Sequence, residues 1–222
     1  MLTNLPKNQR KLRELGIQVV GDNQPCDFLA APGLRRTVKF LLSMSKGVPL
    51  ISTAFLDHVL TSGKLPGTRA EIGKSWALED EEGARRFSVT PATALKRARL
   101  NKGRLLWNVP VYCTPDVPHG FENYRAVAEA NGAIFKCYRA RSGTTIRPTT
   151  AEEDGGADPE PVYLLTSDKP TDRELWPRFR AMAEAGHMEP RVASVDWLLD
   201  VVMQQRLFYD EKYNVENLLR KK

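Results

Sequence analysis

Three cations stand together at the head of an apolar segment, in the stretch RRTVKFLLSMSKGVPLIS from Arg35 to Ser52. Arg35, Arg36 and Lys39 would lie where a helix begins, although a helix start carries positive partial charge and is stabilised by acids rather than bases. The exposed backbone N–H groups of a helix start also bind anions. The three cations therefore indicate that this part of the chain receives an anionic ligand.

The composition is that of an ordinary globular protein. The chain has 222 residues, of which 41% are hydrophobic and 27% are charged, and its formal net charge is +6. No apolar run approaches the roughly 20 residues that a membrane span requires, and the amino end has no apolar signal core. We therefore expect an intracellular protein with one large domain or two smaller ones, an acidic partner and no membrane contact.

The residue types that hold metals or carry out covalent catalysis are scattered. No H-x-x-H or C-x-x-C pair occurs, and an odd number of cysteines argues against a disulfide framework. No P-loop, G-x-S-x-G, H-E-x-x-H or glycine-rich dinucleotide motif is present. We expect no metal, no cofactor and no catalytic residue, and reduced, buried thiols. The residues concerned are Cys26, Cys113, Cys137, His58, His119 and His187.

One order of helices and strands occurs twice along the chain. From Leu2 to Pro66 we predict a strand, a helix, two strands (IQVV and CDFLAA), a helix, a strand and a helix. The segment that begins at RLLWNVPVYCTP repeats this order, with DRELWPRFRAMAEAG as one helix. Repetition of a whole supersecondary unit predicts two copies of one fold. The expected class is α/β, because strands alternate with helices.

The landmarks of the two copies place the domain boundaries. We predict a first repeat at residues 1–66, an inter-repeat linker with a short helix at 67–104, and a second repeat at 105–222. The linker helix should begin after Thr90, with Pro91 in its first turn. The second repeat is longer because of a segment at about 139–160, whose glycine, proline, threonine and acid content predicts a disordered surface loop.

The doubled unit resembles tandem BRCT repeats, the small α/β domains of DNA-damage-response proteins. The resemblance rests on the glycine after the first helix (Gly16 and Gly132), the R-T-x-K-[FY] start of the second helix, and the aromatic residue of the last helix (Phe55 and Trp197). It implies two domains packed in tandem, each with a four-stranded parallel sheet flanked by three helices. The same resemblance implies an interface between the second helix of the first repeat and the first and last helices of the second.

The resemblance also implies a phosphate-binding site in the first repeat. In phosphopeptide-binding members, a hydroxyl after the first strand, the next backbone N–H and a lysine of the second helix hold the phosphate. These groups match Thr3, Asn4 and Lys39, with asparagine at a position where the family usually has glycine. Arg36 matches the arginine that reads the peptide three residues past the phosphate, and its planar fork suits a terminal carboxylate. Thr114 matches Thr3 in the second repeat, but no R-T-x-K follows there, so we predict one phosphate site.

The other side of that pocket should come from the first helix of the second repeat. Counting back from Gly132 places His119, Phe121 and Tyr124 near the cleft between the repeats. The arrangement resembles the C-terminal BRCT pair of fungal multi-BRCT scaffolds and the mediators that bind the damage-phosphorylated histone two-A tail. The resemblance thus implies a nuclear module whose partners are a phosphorylated protein C-terminal tail and other repair proteins.

Each of these residues also has a purely structural interpretation. Thr3 could cap the next helix, Lys39 could be a solvated lysine on a helix face, and His119 could be an ordinary loop residue. The basic cluster from Lys96 to Arg104 could contact DNA or form a solvated helix face. The alternative functions are therefore DNA-end binding, which we consider less favoured, and a phosphate-independent interaction scaffold.

Overall fold

The computed structural model describes residues 5–21, 24–139 and 159–220. In the first half of the chain the elements are α1 (Leu5–Glu14), β1 (Leu29–Ala31), α2 (Val38–Ser45), β2 (Leu50–Ser52), α3 (Ala54–Ser62), α4 (Arg69–Ser75), α5 (Glu81–Arg86) and α6 (Pro91–Asn101). In the second half they are β3 (Pro110–Cys113), α7 (Phe121–Glu129), β4 (Ile134–Cys137), β5 (Pro161–Thr166), α8 (Pro170–Arg173), α9 (Trp176–Ala185), β6 (Glu189–Ser194), α10 (Asp196–Gln204), a 3-10 turn (Glu211–Tyr213) and α11 (Val215–Arg220).

The second repeat has the predicted four-stranded parallel sheet. Its strand order is β4-β3-β5-β6, and every neighbouring pair is parallel. Strand β5 is buried along almost its whole length, from Val162 to Thr166. This continuous burial is typical of a parallel sheet with helices on both faces.

The first repeat contributes a smaller sheet from the described residues. Strands β1 and β2 pair in parallel, with Leu29 opposite Leu50. The predicted IQVV strand is wrong, because residues 17–20 form no strand. The strand predicted near Leu2 falls in residues 1–4, outside the described residues.

Helix α2 packs between the repeats, as the resemblance implied. It contacts α7 and α10 of the second repeat and also α6 of the linker. One apolar core runs through this contact and includes Phe40, Leu41 and Met44 from α2. Helical spacing in VKFLLSMS predicts one buried face with Val38, Leu41, Leu42 and Ser45. Leu41 and Ser45 are buried, but Val38 and Leu42 are only half-buried, and Phe40 and Met44 are buried as well.

A buried polar chain crosses the same interface. The Asn131 side-chain amide donates to the hydroxyl of Ser45 at 2.8 Å, and the amide of Gln205 donates to Asn131 Oδ1 at 3.3 Å. Ser45 in turn donates to the carbonyl of Leu41 at 2.8 Å. Because polar groups buried without a partner are costly, this chain favours one register of the repeats over alternatives.

The aromatic residues of the last helix of each repeat, Phe55 and Trp197, lie in the core. Trp76 and Phe87 of the linker pack against core residues. Trp197 is fully buried and stacks on Tyr163 with centroids 3.8 Å apart, and Phe55 is buried in the first repeat. Trp76 packs edge-on against Phe55 at 6.0 Å. The aromatic residues that the two repeats share in the last helix are therefore core residues.

Two further predictions are only partly correct, and others lie outside what the structure tests. The helix DRELWPRFRAMAEAG is divided into α8 and α9, since Pro177 lacks the N–H that would continue the hydrogen-bond ladder. Of the three free cysteines only Cys113 is buried. The predicted loop at 139–160 lies mostly outside the described residues, and the boundaries at residues 66 and 104 stay predictions.

Candidate functional site

The head of helix α2 has an anion-accessible geometry. The helix begins at Val38, three residues later than the cations had suggested, so Arg35 and Arg36 precede it and Lys39 lies in its first turn. Thr37 is the extended N-cap residue, and its hydroxyl accepts from the Phe40 N–H at 3.4 Å. No acid lies in the first turn. The side chain of Lys39 is exposed, beside N–H groups that a helix leaves without intrahelical partners.

A large groove opens along this helix start. Its volume is about 1270 Å³, and Arg35, Thr37 and Lys39 line it together with apolar residues of the first repeat. Asn123 from α7 of the second repeat also lines the groove. The groove therefore joins the predicted lysine to a polar side chain of the other repeat.

Arg36 is engaged by the second repeat. Its Nη1 donates to Asp196 Oδ1 at 2.7 Å, and its Nη2 donates to Asp200 Oδ1. The guanidinium lies over the ring of Phe87, 4.9 Å from the centroid. Asp200 is held from its other oxygen by the hydroxyl of Tyr213 at 2.8 Å. These contacts fix the guanidinium at the junction of the two repeats and the linker.

A second, smaller cavity lies on the linker side of Arg36. Its volume is about 280 Å³, and its lining includes Arg35, Arg36 and Arg86 together with Phe87. Arg35 lines both this cavity and the larger groove. Three guanidinium groups thus line one space, and two carboxylates hold one of them, Arg36.

The remaining predicted pocket residues are placed by other contacts. His119 is exposed in a left-handed conformation, with φ of 64°, and its carbonyl accepts from Asn123 at 2.6 Å. Phe121 is half-buried and packs on Phe135, with centroids 5.2 Å apart. Tyr124 is buried, and burial together with the Asp196 carboxylate raises its pKa to about 12. Of this set the structure brings Tyr124 near the acids that hold Arg36.

Thr3 and Asn4 lie outside the described residues, so their roles stay predictions. The matching position in the second repeat is described. Thr114 is buried, and its hydroxyl donates to Asp172 Oδ2 at 2.9 Å. The same carboxylate oxygen accepts from the Ser167 hydroxyl at 2.6 Å and from the Ser167 N–H at 3.1 Å. The Asp172 carboxylate thus accepts the hydrogen bond of the Thr114 hydroxyl, which leaves that hydroxyl unavailable to a phosphate.

Sequence reasoning missed Asp196, Asp200 and Asn123. The two aspartates, Asp196 and Asp200, stand four residues apart in α10, and this spacing places them on one face of the helix. That i, i+4 pair was a usable signal for a partner of Arg36. Asn123 had no comparable signal, because its position depends on how the repeats dock.

The described ranges contain no cluster of three or more potential metal ligands. None of the helices seen in those ranges is long and apolar enough to cross a membrane.

Comparisons with known proteins agree with this fold. A family model described as the BRCT domain of Regulator of Ty1 transposition protein 107 matches residues 3–71. The crystal structure of the BRCT5-BRCT6 domains of S. pombe Brc1 has a TM-score of 0.64 at 21% identity, covering 90% of this chain and 87% of that one. The complex of Rtt107p with phosphorylated histone two-A has a TM-score of 0.61 at 14% identity, covering 93% and 84%. The chain therefore has the fold of tandem BRCT domains, and its residues 3–71 match a BRCT family model.

The chain is also similar in sequence to two curated proteins. BRCT-containing protein 1 of Schizosaccharomyces pombe is 24% identical over 203 residues, which are 90% of this chain and 22% of the relative. DNA damage response protein Mdb1 of the same organism is 34% identical over 149 residues, covering 64% and 23%. The chain thus spans less than a quarter of either relative. It is similar in sequence to these two proteins and in fold to the BRCT5-BRCT6 pair of Brc1.

Proposed function

We propose that this module binds a phosphoserine close to the C-terminus of a partner protein, and that the partner is a phosphorylated histone two-A tail. Lys39, the hydroxyl of Thr3 and the backbone N–H of Asn4 hold the phosphate. Arg36 binds the terminal carboxylate of the peptide through the second N–H of its terminal nitrogens, while its bonds to the two aspartates of α10 orient the guanidinium. The module acts in the nucleus, where it docks a repair scaffold on damaged chromatin, and it carries out no catalysis.

The observation that carries the proposal is the position of Lys39. It lies in the first turn of α2 and lines a groove between elements of both repeats. An ammonium next to helix-start N–H groups favours a dianion, and each charge-assisted hydrogen bond contributes about 1.5–3 kcal/mol. The solved complex of Rtt107p with phosphorylated histone two-A, whose fold this chain shares, supports the choice of ligand.

A titration tests the phosphate site. Fluorescence anisotropy compares matched phosphorylated and unphosphorylated histone-tail peptides, with a DNA duplex as a further ligand. Lys39→Met should reduce affinity for the phosphorylated peptide tenfold or more, which is at least about 1.4 kcal/mol. Lys46→Met, at the other end of the same helix and also in the groove, is the matched control. Equal affinities of wild type and Lys39→Met would refute the site.

The same assay tests Arg36 with a peptide whose terminal carboxylate is amidated. Amidation should weaken binding to wild type and have little effect on Arg36→Ala, because the partner of the carboxylate is then already absent. Arg35→Ala is the control for the loss of a neighbouring positive charge. An equal loss in wild type and Arg36→Ala would remove Arg36 from this role.

A further inference from the structure

The linker helix and the turn after it carry charge of one sign. From Gly83 to Pro115 the chain contains seven lysines and arginines and no aspartate or glutamate. No other acid-free stretch of the sequence contains as many cations. A segment with this asymmetry attracts an acidic partner.

The structure separates the five cations of α6 and the turn after it into two groups, one with hydrogen bonds to the neighbouring elements and one without such bonds among the described residues. Arg97 is half-buried and donates to the carbonyl of Gln204 at 3.3 Å, and Arg99, although exposed, donates to the carbonyl of Gly47 at 3.4 Å. They hold α6 against both repeats. Lys96, Lys102 and Arg104 are exposed. The positive charge of the second group therefore faces solvent.

Large apolar side chains lie among the exposed cations. Leu100 is 73% exposed and Trp107 is 60% exposed, the two highest values for large hydrophobic residues in the described ranges. Leu207 is also exposed, and it lies near the end of α6 because Asn101 donates to the carbonyl of Gln205 at 3.1 Å. Exposed apolar surface rimmed by polar residues is typical of protein-interaction sites.

Trp107 is held in place rather than left loose. The guanidinium of Arg104 lies 5.2 Å from the ring centroid of Trp107. The backbone of Gly132 supports the ring, since a Cβ there would come within 3.3 Å of Trp107 Cε3. A tryptophan that is both exposed and preorganised loses little conformational entropy on binding, and tryptophan and arginine are enriched among the residues that dominate binding energy.

We propose that Lys96, Leu100, Lys102, Arg104 and Trp107, together called the α6-end surface, bind an acidic protein segment that carries apolar side chains. The cations complement its carboxylates, and Leu100 and Trp107 bury its apolar side chains. A nucleic acid fits less well, because a leucine offers nothing to a phosphate backbone. The surface is separate from the groove of Lys39, so it gives the module a second binding activity that does not depend on phosphorylation.

The test uses a labelled 18-residue amphipathic peptide, with leucine and phenylalanine at helical i, i+3, i+4 and i+7 spacing and acids elsewhere. Two control peptides replace the acids by glutamine or the apolar residues by serine. A DNA duplex and a single strand complete the set. Anisotropy measures affinity, and the indole N–H signal of Trp107, assigned with Trp107→Phe, reports by nuclear magnetic resonance where the peptide binds.

The acidic peptide should bind wild type and shift the Trp107 signal, and both control peptides should bind at least tenfold more weakly. Trp107→Ala, Leu100→Ser and the pair Lys102→Glu with Arg104→Glu should each reduce affinity at least fivefold. Leu65→Ser and Lys64→Glu, exposed changes on the first repeat, should have no effect, and neither should Lys39→Met. If Trp107→Ala disturbs folding, Leu100→Ser tests the apolar part of the surface instead.

Three outcomes would overturn the proposal. One is equal binding of the acidic and glutamine peptides, and another is an unshifted Trp107 signal at saturation or no binding at all. The third is DNA binding that exceeds peptide binding and survives Trp107→Ala. None of these results depends on whether Lys39 binds phosphate.

Discussion

Arg36 links three parts of the molecule through one guanidinium group. Its two terminal nitrogens reach Asp196 and Asp200, and its face covers Phe87 of the linker. The side chain of Asp200 is 9% exposed and that of Asp196 is 57% exposed. The two ion pairs therefore differ in their consequences, since a buried charge that loses its partner is far more costly than an exposed one.

Asp200→Ala should lower the free energy of unfolding by about 2–4 kcal/mol, because Arg36 and the hydroxyl of Tyr213 both lose a buried partner. Burial and the hydrogen bond to Asp200 also raise the pKa of Tyr213, so the phenol stays a neutral donor. Asp196→Ala should cost less than about 1 kcal/mol. Urea unfolding measures both values, and equal losses would contradict the assignment of Asp200 as the main support of Arg36.

At the scale of elements, α5 of the linker is attached to the loop before α2 through Asp80. Its Oδ1 accepts from the Gly83 N–H at 2.8 Å and caps α5, and its Oδ2 accepts from the Leu34 N–H at 2.7 Å. The bonds from Gly83 and then Leu34 lower the pKa of Asp80, with a smaller contribution from Arg35. One carboxylate thus shapes the loop that presents Arg35 and Arg36.

A lowered pKa in the folded state means that the Asp80 carboxylate stabilises the fold above its unfolded pKa of about 3.9. This contribution is lost as the pH falls through the lower folded value. Asp80→Asn should therefore melt below wild type at pH 6, and the difference in Tm should shrink below about pH 4. Glu79→Gln, an exposed neighbour, is the control. A difference in Tm that is constant with pH would contradict this origin.

At the scale of the whole molecule, the two repeats share one core. The largest apolar cluster joins residues of α2 to residues of α7 and α10, among them Leu41, Val127 and Val201. The chain from Ser45 through Asn131 to Gln205 satisfies the polar groups inside this contact. Neither repeat would keep its buried face covered if the other unfolded.

Unfolding should therefore occur in a single cooperative transition. Far-ultraviolet circular dichroism reports both repeats. Tryptophan fluorescence of a Trp76→Phe variant reports the second repeat, where Trp107, Trp176 and Trp197 lie, so the two urea curves should coincide. Asn131→Ala should lower the free energy of unfolding by about 1–3 kcal/mol. The urea midpoint should fall accordingly, and the two curves should still coincide. Two resolved transitions in the wild-type protein would contradict the shared core.

Much of the fold was predictable because its signals are local. Helix stops at Gly16 and Gly132, the buried aromatic residues Phe55 and Trp197, and the repeated element order all lie in short stretches of sequence. The IQVV strand was predicted wrongly because a short run of mostly β-branched residues does not show whether a neighbouring strand pairs with it. Helix α2 begins later than predicted because Thr37 caps it, which leaves Arg35 and Arg36 outside the helix.

The sequence alone determined the doubled α/β unit, the resemblance to tandem BRCT repeats and the choice of Lys39 and Arg36, since periodicity, glycine stops and a short motif need no distant contact. Only the tertiary structure decided that Arg36 meets acids 160 and 164 residues away. It also decided that Asn123 faces the groove of Lys39 and that Trp107 stays exposed. Contacts between distant segments depend on how packed faces dock, and no local pattern encodes that docking.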